Sequence, residues 1–187
     1  MTLRSYYHQG HLVSDNHFVI EKFEPKKSYY QLKKFDCGNK VINKFVHSSL
    51  KKQVSQHVSQ AFVLINLEDN ERFCAFYTLT SFKLLASELD VLSKGSLPKD
   101  IPCVRLVMLG VDLSLQGQGV GKKMMSDALH RIHRASKEIG IYGLYLDADP
   151  NATKFYLSLG FTRLDSGGSD DIAKMFLSIE VINQLLG

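Results

Sequence analysis

The chain has 187 residues, of which 44% are hydrophobic and 22% are charged, and its formal net charge is +4 at pH 7. This length and composition are typical of a soluble globular protein that buries a real core. No apolar run reaches 18 residues and the amino terminus does not have the pattern of a signal peptide, so we expect a cytoplasmic protein without a membrane span.

The three cysteines, Cys37, Cys74 and Cys103, are odd in number and far apart in the sequence. This spacing fits neither a disulfide framework nor a zinc site. We therefore expect each to be a small buried hydrophobic residue, and we predict no metal site.

The positive charge is concentrated near the amino terminus. Residues 1–60 contain ten Lys or Arg and four Asp or Glu, hence +6, whereas residues 61–100 carry −2 and residues 101–187 balance. A basic surface of this kind attracts a polyanion such as RNA. The alternative is a basic face that is merely solvated.

The chain begins with a segment of no clear period, so we predict a loose tail over residues 1–16 and one domain over residues 17–187. Residues 17–23 predict the first strand. Asp36 or Asn39 can cap a helix that follows and ends before Val58. The predicted buried face of this helix consists of Val41, Ile42, Phe45, Val46, Ser49 and Leu50.

Two apolar runs, residues 61–67 and 72–82, are separated by a polar turn and predict an antiparallel hairpin. Residues 83–102 contain Gly and Pro breakers, and we expect one short strand or helix and a loop there. A buried central strand is predicted over residues 104–111. Glycines follow it, and then apolar residues at helical spacing predict a long helix that ends at Gly140.

The last part of the chain predicts a strand over residues 141–147 and a helix that starts at Asp149-Pro150. Further strands are predicted from residue 161 and over residues 174–179, with a flexible turn at 166–171 and a terminal helical turn after Val181. Strands at both ends with helices between them indicate an α+β fold with a mixed sheet.

The strand, glycine-rich turn and helix around Gly117, Gly119 and Gly121 have the pattern of a phosphate site. Glycine lets the backbone approach a ligand, and the free N–H groups and dipole of a helix amino terminus favour an anion. The spacing is neither that of a P-loop nor that of a dinucleotide-binding fingerprint. The alternative is a loop that only turns the chain.

Two patterns together carry a family resemblance. Gln116, Gly119 and Gly121 form Q-x-x-G-x-G, and residues 149–161 match N-x-x-A/T-x-x-F-Y-x-x-x-G-F at Ala152, Phe155, Tyr156, Gly160 and Phe161, with Asp149 at the first position and Asn151 two positions after it. Both are similar to the Gcn5-related N-acetyltransferases (GNAT). In that element Tyr156 would be catalytic, whereas alone it would be read as a core tyrosine.

The resemblance implies a GNAT fold, with a mixed and mostly antiparallel central sheet flanked by helices. It implies acetyl transfer from acetyl-coenzyme A to an amine, with Tyr156 protonating the leaving thiolate as general acid. Asn151 would bond the pantetheine arm, with Phe155 beside it. A backbone N–H at the open end of the central strand, around Met108 to Val111, would face the thioester oxygen. Leu109, Gly110 and Val111 are the implied cofactor-binding residues there. The implied pyrophosphate-binding residues are Gln116, Gly117, Gln118, Gly119, Val120, Gly121 and Lys122.

No general base stands out, because Glu68, Glu71 and Glu88 lie in contexts typical of turns and surfaces. An α-amine titrates at about 7.7 and is partly neutral at physiological pH, whereas a lysine titrates at about 10.4 and needs more help. The missing carboxylate therefore favours an α-amine acceptor.

A narrower resemblance points the same way. Residues 35–46 resemble the "FDCG…LN.FL" element of the acetyltransferase toxins of toxin–antitoxin modules, and residues 75–79 resemble their "GYYTL" strand. The chain differs where relatives often show "LGRLAVD", because Gly110 directly precedes Val111-Asp112 here. The resemblance implies an aminoacyl-tRNA acceptor, a block of translation, a homodimer and a ribbon–helix–helix antitoxin.

In such a toxin the basic side chains would follow the tRNA backbone, whereas His130 and His133 are interpreted as solvated rather than catalytic. Two alternatives stay open: an acetyltransferase for a small-molecule or protein amine, and an acetyl-coenzyme A-binding module without turnover. Retention of Tyr156 and of the whole loop argues against the second. The basic residues in question are Lys26, Lys27, Lys33, Lys34, Lys44, Lys51, Lys52, Lys122, Lys123, Arg131 and Arg134.

Overall fold

The computed structural model describes residues 17–89, 97–165, 167–168 and 171–186, so the predicted tail and part of the predicted 166–171 turn lie outside the described residues. Within these ranges the chain forms strands and helices in the following order: β1 (Phe18–Lys22), α1 (Lys40–Ser48), α2 (Leu50–Ser55), β2 (Gln60–Asn66), β3 (Arg72–Leu85), β4 (Asp100–Val111), α3 (Val120–Ala135), β5 (Gly143–Ala148), α4 (Thr153–Ser158), β6 (Thr162–Arg163), β7 (Ala173–Ser178) and α5 (Ile179–Leu186).

The strands form one sheet in the order β1-β2-β3-β4-β5-β7-β6. Strands β1 and β2 pair antiparallel, as do β2 and β3, β5 and β7, and β7 and β6. Strands β4 and β5 are parallel, with Val104 opposite Leu144 and Arg105 opposite Tyr145. The predicted α+β fold with a mixed, mostly antiparallel sheet is therefore confirmed.

Two compact units divide the chain, and β3, β4 and α3 contribute residues to both. The loop unit comprises the described residues of Gln9–Thr80 and Val107–Ala128. The tyrosine unit comprises the described residues of Ser81–Leu106 and Leu129–Gly187. The glycine-rich loop belongs to the first unit and the Asn151–Tyr156 element to the second.

An aromatic cluster forms the core of the loop unit. The Phe35 ring meets the Phe73 and Phe76 rings edge to face, at centroid distances of 5.2 and 5.7 Å, and Phe45 stacks on Phe76. All four side chains are buried. Edge-to-face ring pairs are favourable beyond the area they bury, so this core gives the end of β4 a firm support.

A smaller apolar cluster forms the core of the tyrosine unit, from Leu84, Leu89, Ile101, Cys103, Tyr145 and Phe176. The predictions for Cys74 and Cys103 are confirmed, since both are buried and free, and burial raises the pKa of each thiol to about 11. Cys37 is only half-buried. Among the described residues no group of three or more His, Cys, Asp or Glu side chains could hold a metal ion.

The helix predicted after Asn39 is two helices. Asn39 is the cap, because its Oδ1 accepts hydrogen bonds from the N–H groups of Val41 and Ile42. The Ser48 hydroxyl donates to the carbonyl oxygen of Lys44 at 2.6 Å, a contact that competes with regular helix geometry, and α1 ends there. Val41, predicted to be buried, is 67% exposed.

The long helix is also shorter than predicted, since α3 ends at Ala135 and not at Gly140. The Ser136 hydroxyl bonds to the carbonyl oxygen of His133 at 2.8 Å, just past the helix end. Ile139, the last of the apolar residues at helical spacing from which the long helix was predicted, is 65% exposed. Across the ranges the structure describes, no helix combines the length and the apolar character that a membrane crossing needs.

Candidate active site

The segment after β4 begins with a capped turn. The Asp112 Oδ1 accepts hydrogen bonds from the Ser114 N–H at 3.1 Å and from the Ser114 hydroxyl at 2.6 Å. These bonds form the short 3₁₀ turn Leu113–Leu115, which leads directly into the glycines. The cap thereby sets the direction in which the chain enters the loop.

The loop itself suits an anion. Gly117 and Gly119 have φ values of +74° and +82°, a left-handed conformation that glycine adopts without strain. A Cβ atom added to Gly117 would meet no atom within 4 Å, so space for a ligand lies beside it. Helix α3 starts at Val120, and the first turn of a helix presents N–H groups and positive dipole charge. These residues fit a pyrophosphate.

Gln116 has a role that its motif does not reveal. Its Nε2 donates to the carbonyl oxygens of Cys37 and Val111, both at 2.9 Å, so both amide hydrogens are used within the protein. The Gln118 Nε2 donates to the carbonyl oxygen of Ser114 at 3.0 Å. Both side chains brace the loop, so the predicted pyrophosphate contacts fall to the backbone N–H groups.

The end of β4 packs tightly. A Cβ atom on Gly110 would lie 2.9 Å from the Phe76 ring and 3.0 Å from Ile42, so only glycine fits here without movement of its neighbours. The Met108 N–H donates to the Thr78 hydroxyl at 3.2 Å. The Met108 N–H is therefore engaged within the protein, which leaves Leu109, Gly110 and Val111 of the predicted range as candidates for the thioester oxygen.

The second predicted element starts as expected. The Asp149 Oδ1 accepts from the backbone N–H of Asn151 at 3.0 Å and from its side-chain amide at 3.1 Å. Pro150 follows the cap, α4 continues from Thr153, and Gly160 ends it at a φ of +91°. Asn151 is thus held in one orientation at the entrance of this element.

Tyr156 lies in a dry aromatic setting. Only 7% of its surface is exposed, and its ring meets Phe155 and Phe161 edge to face at 5.1 and 5.5 Å. Burial raises the pKa of the phenol well above its usual value, so the hydroxyl keeps its proton at physiological pH. It makes no hydrogen bond to the described part of the chain and can donate to a ligand.

The three glutamates considered as bases are engaged elsewhere. Glu68 pairs with His17 at 2.8 Å, Glu71 pairs with Lys27 at 2.9 Å, and Glu88 pairs with Lys174 at 3.3 Å. His130 is exposed as predicted. His133, predicted to be solvated, is instead half-buried, and its Nδ1 lies 2.7 Å from the Asn183 Oδ1.

Sequence reasoning missed Arg72, whose guanidinium contacts Asp112 and Ser114 at the entrance of the loop. Arg72 lies 40 positions before Asp112, and its only signal is that it opens a predicted strand. It is the one residue added here to the predicted set.

Fold and site together define an acetyltransferase. Residues 36–176 match the family described as acetyltransferase (GNAT) domain, which covers most of the chain. The chain therefore belongs to the GNAT acetyltransferases, and the predicted family is confirmed.

Two relatives that are similar in sequence are both named as toxins. The chain is 26% identical to the "Probable toxin TacT" of Sinorhizobium fredii over 179 residues, which cover 90% of this chain and 95% of the relative. It is 28% identical to the "tRNA-acetylating toxin" of Mycobacterium tuberculosis over 131 residues, which cover 68% and 75%.

Solved structures of toxins are also similar to this chain. A crystal structure of a bacterial toxin has a TM-score of 0.86 at 35% identity and covers 90% of this chain and 94% of its own. AtaT complexed with acetyl-methionyl-tRNAfMet has a TM-score of 0.80 at 29% identity, covering 91% and 99%. AtaTR bound with acetyl-coenzyme A has a TM-score of 0.78 at 30% identity, covering 92% and 100%.

Proposed function

We propose that this protein is the toxin of a toxin–antitoxin module. It transfers an acetyl group from acetyl-coenzyme A to the α-amine of an aminoacyl-tRNA, and translation is blocked as a result. The observation that carries the proposal is the likeness, over 91% of this chain, to AtaT complexed with acetyl-methionyl-tRNAfMet. Because charged tRNA is the substrate, the protein acts in the cytoplasm.

Bound acetyl-coenzyme A supplies the activated acetyl group as a thioester. The backbone N–H groups of residues 116–122 hold the pyrophosphate, and Asn151 and Phe155 hold the pantetheine arm. A backbone N–H of Leu109, Gly110 or Val111 donates to the thioester oxygen, where negative charge develops. The Tyr156 hydroxyl donates its proton to the sulfur of the leaving thiolate, and the proton that the attacking amine loses as the amide forms returns to the phenolate.

The raised pKa of Tyr156 keeps the proton donor in place, but it also makes the phenol a weak acid. The phenol is protonated throughout the physiological range, so every molecule carries the donor. It is a weaker acid than a thiol, so it acts as a positioned hydrogen-bond donor that completes its proton transfer as the thiolate leaves. Its dry surroundings strengthen that hydrogen bond.

The contacts of the three candidate glutamates support an α-amine as the acceptor. Glu68 lies 2.8 Å from His17, and Glu71 and Glu88 are held in ion pairs, so none of the three stands out as a general base. An α-amine of pKa about 7.7 supplies its own neutral fraction near neutral pH. This supports an aminoacyl ester over a lysine side chain as the acceptor.

A lysine cluster supports a nucleic-acid substrate. Its members lie on the 3₁₀ turn Leu32–Lys34 and on helices α1 and α2, are exposed, and make no ion pair within the described ranges. Lys27 is unsuitable, because Glu21 and Glu71 hold it at 2.8 and 2.9 Å. Unpaired lysines attract phosphates and release counterions on binding. The cluster consists of Lys33, Lys34, Lys40, Lys44, Lys51 and Lys52.

The proposal includes two protein partners. One is a ribbon–helix–helix antitoxin; the likeness to an AtaT mutant toxin bound to the C-terminus of the antitoxin AtaR supports the presence of an antitoxin. The other is a second copy of this chain in a homodimer. Both are tested by co-expression with the neighbouring gene product and by measurement of the mass in solution.

The deciding experiment gives purified protein labelled acetyl-coenzyme A and a mixture of acceptors: charged tRNAs, uncharged tRNAs, polyamines and a basic protein. We expect label on charged tRNA alone, and its loss in Tyr156→Phe. Label on a polyamine or a protein, with none on tRNA, would instead identify a general acetyltransferase of the same fold. Binding of acetyl-coenzyme A with no labelled acceptor would identify a binding module.

A further inference from the structure

Arg72 is attached to the segment that leads into the glycine-rich loop. Its Nη2 donates to the Asp112 Oδ1 at 3.0 Å and to the Ser114 hydroxyl at 2.9 Å. The side chains of Arg72 and Asp112 are only 25% and 13% exposed. Hydrogen bonds between charged partners in such a setting are stronger than neutral ones, and water screens them little.

Backbone hydrogen bonds also hold Asp112 and the start of β3 in place. The Asp112 N–H donates to the carbonyl oxygen of Cys74 at 2.9 Å, and the Phe73 N–H donates to the carbonyl oxygen of Tyr30 at 2.9 Å. The first residues of β3 are therefore fixed, and they fix Asp112 in turn. Arg72 adds the side-chain bond that sets the rotation of the Asp112 carboxylate.

From Asp112 the bonds continue into the loop. One carboxylate oxygen of Asp112 accepts from Arg72 and also caps the turn through Ser114. The Ser114 carbonyl oxygen then accepts from the Gln118 side chain at 3.0 Å. Arg72, Asp112, Ser114 and Gln118 thus form a chain of hydrogen bonds that ends between Gly117 and Gly119.

A second brace meets the loop from residues 36–37. The Leu113 N–H donates to the carbonyl oxygen of Asp36 at 2.8 Å, and the Gln116 Nε2 donates to that of Cys37. This brace holds the backbone but not the Asp112 carboxylate. Only the Arg72 bonds, among those described, neutralise that carboxylate at the loop entrance.

We propose that Arg72 is a positioning residue for acetyl-coenzyme A: through Asp112 and Ser114 it holds the glycine-rich loop in the conformation that presents its N–H groups to the pyrophosphate. Arg72 itself touches no ligand. The inference rests on the proposed function only for the identity of the pyrophosphate ligand. Without Arg72 the loop has to be ordered as the ligand binds, which weakens affinity.

The test compares two thioesters. Acetyl-coenzyme A contains the pyrophosphate, and S-acetylpantetheine lacks it. We expect Arg72→Met to raise the dissociation constant of coenzyme A in calorimetry, and the KM for acetyl-coenzyme A, by about tenfold, as loss of a charge-assisted hydrogen bond does. The kcat/KM for S-acetylpantetheine should stay near that of the parent protein.

Arg72→Lys gives a graded readout. A lysine places one point charge where the guanidinium spans two partners, so we expect affinity for coenzyme A between those of the parent and Arg72→Met. If Arg72→Met does not fold, Ser114→Ala removes the two hydrogen bonds of the Ser114 hydroxyl, to Arg72 and to Asp112, without leaving a buried charge. We expect it to weaken coenzyme A binding in the same direction, by a smaller factor.

Lys27→Met is the matched control. Lys27 is 26% exposed, close to Arg72 at 25%, and its replacement likewise removes a cation that holds two partners, here Glu21 and Glu71. It makes none of the described contacts to the loop, so we expect coenzyme A binding to be unchanged.

Equal losses with both thioesters, or unchanged coenzyme A binding in Arg72→Met, would overturn the proposal. Calorimetry requires no acceptor, so a failure of the tRNA assay leaves this test intact, and each result is attributable to one hypothesis.

Discussion

The glycine-rich loop and the Tyr156 element are stabilised by opposite means. The loop is held by hydrogen bonds: Gln116 bridges two carbonyl groups, and Arg72 joins Asp112 and Ser114. Tyr156 makes no hydrogen bond to the described residues and is held by the rings of Phe155 and Phe161. One site is polar and braced, and the other is apolar and packed.

The difference follows from the task of each site. A loop that presents several N–H groups to an anion has to keep them aligned, and hydrogen bonds give direction. A phenol that donates one proton has to remain neutral, and burial keeps it so by raising its pKa. The comparison predicts that changes at the loop alter affinity, whereas changes at Tyr156 alter rate.

The largest effect is expected for Tyr156→Phe. Removing the hydroxyl deletes the proton donor but keeps the ring packing, so kcat should fall by about 100-fold with the KM for acetyl-coenzyme A nearly unchanged. Single-turnover kinetics measure this. Tyr142→Phe is the control, because Tyr142 is a ring stacked on Phe176 without a described role in the site. A large rise in KM would contradict the division of tasks.

Charge reversal in the lysine cluster should come next. In Lys44→Glu combined with Lys52→Glu, we expect tRNA acetylation to weaken by about tenfold or more and the log–log salt slope to fall by about two. The control reverses Lys99 and Lys137, two exposed lysines of the tyrosine unit. Equal effects in both double variants would remove the assigned role of the cluster.

Gln116→Ala tests the braced loop. The substitution leaves the carbonyl groups of Cys37 and Val111 without their donor, and we expect affinity for acetyl-coenzyme A to fall by about tenfold, with kcat at saturation retained. Calorimetry and steady-state kinetics separate the two quantities. Gln56→Ala, at an exposed glutamine, is the control. A loss confined to kcat would show that the loop contributes to chemistry rather than to binding.

The packed site predicts a pH dependence of stability. The folded pKa of Tyr156 is raised above the unfolded value of about 10, so its contribution is fully present below that pH and is lost as the pH rises above it. One tyrosine can remove at most about 1.4 kcal/mol per pH unit. Urea titrations from neutral to alkaline pH should therefore show a shallower decline in Tyr156→Phe. If the free energy of unfolding declined with pH at the same slope in both proteins, the predicted contribution of Tyr156 would be contradicted.

The smallest effect is expected at Asn39, which caps α1 beside the segment that braces the loop. Asn39→Ala removes the bonds to the Val41 and Ile42 N–H groups and should lower the free energy of unfolding by about 1 kcal/mol. Affinity for acetyl-coenzyme A should be nearly unchanged, because the two cap bonds that are lost stabilise the start of α1. Ser55→Ala, at the exposed end of α2, serves as the control in denaturant titrations.

Features with local causes were predictable from the sequence. The Asn39 cap, the hairpin of β2 and β3 and the helix start at Asp149-Pro150 all depend on residues a few positions apart. Each has a side chain or a period that acts on its own neighbours.

Helix ends and braces were not predictable in the same way. Ser48 and Ser136 each bond to a nearby carbonyl, and sequence alone does not reveal whether a serine will do so. Gln116 reaches Cys37 across 79 positions, and Arg72 reaches Asp112 across 40. Such contacts exist only once the sheet has formed, so the motif identified the loop but not what holds it in place.

Gly110 has a consequence for the exchange of segments among relatives. Relatives that read "LGRLAVD" carry alanine at this position, whereas here Phe76, Ile42 and Phe35 occupy the space that a Cβ atom would need. A chimera that receives such a strand alone would force these three side chains apart. The strand end and its three neighbours therefore form one transferable module, to be grafted together or left in place.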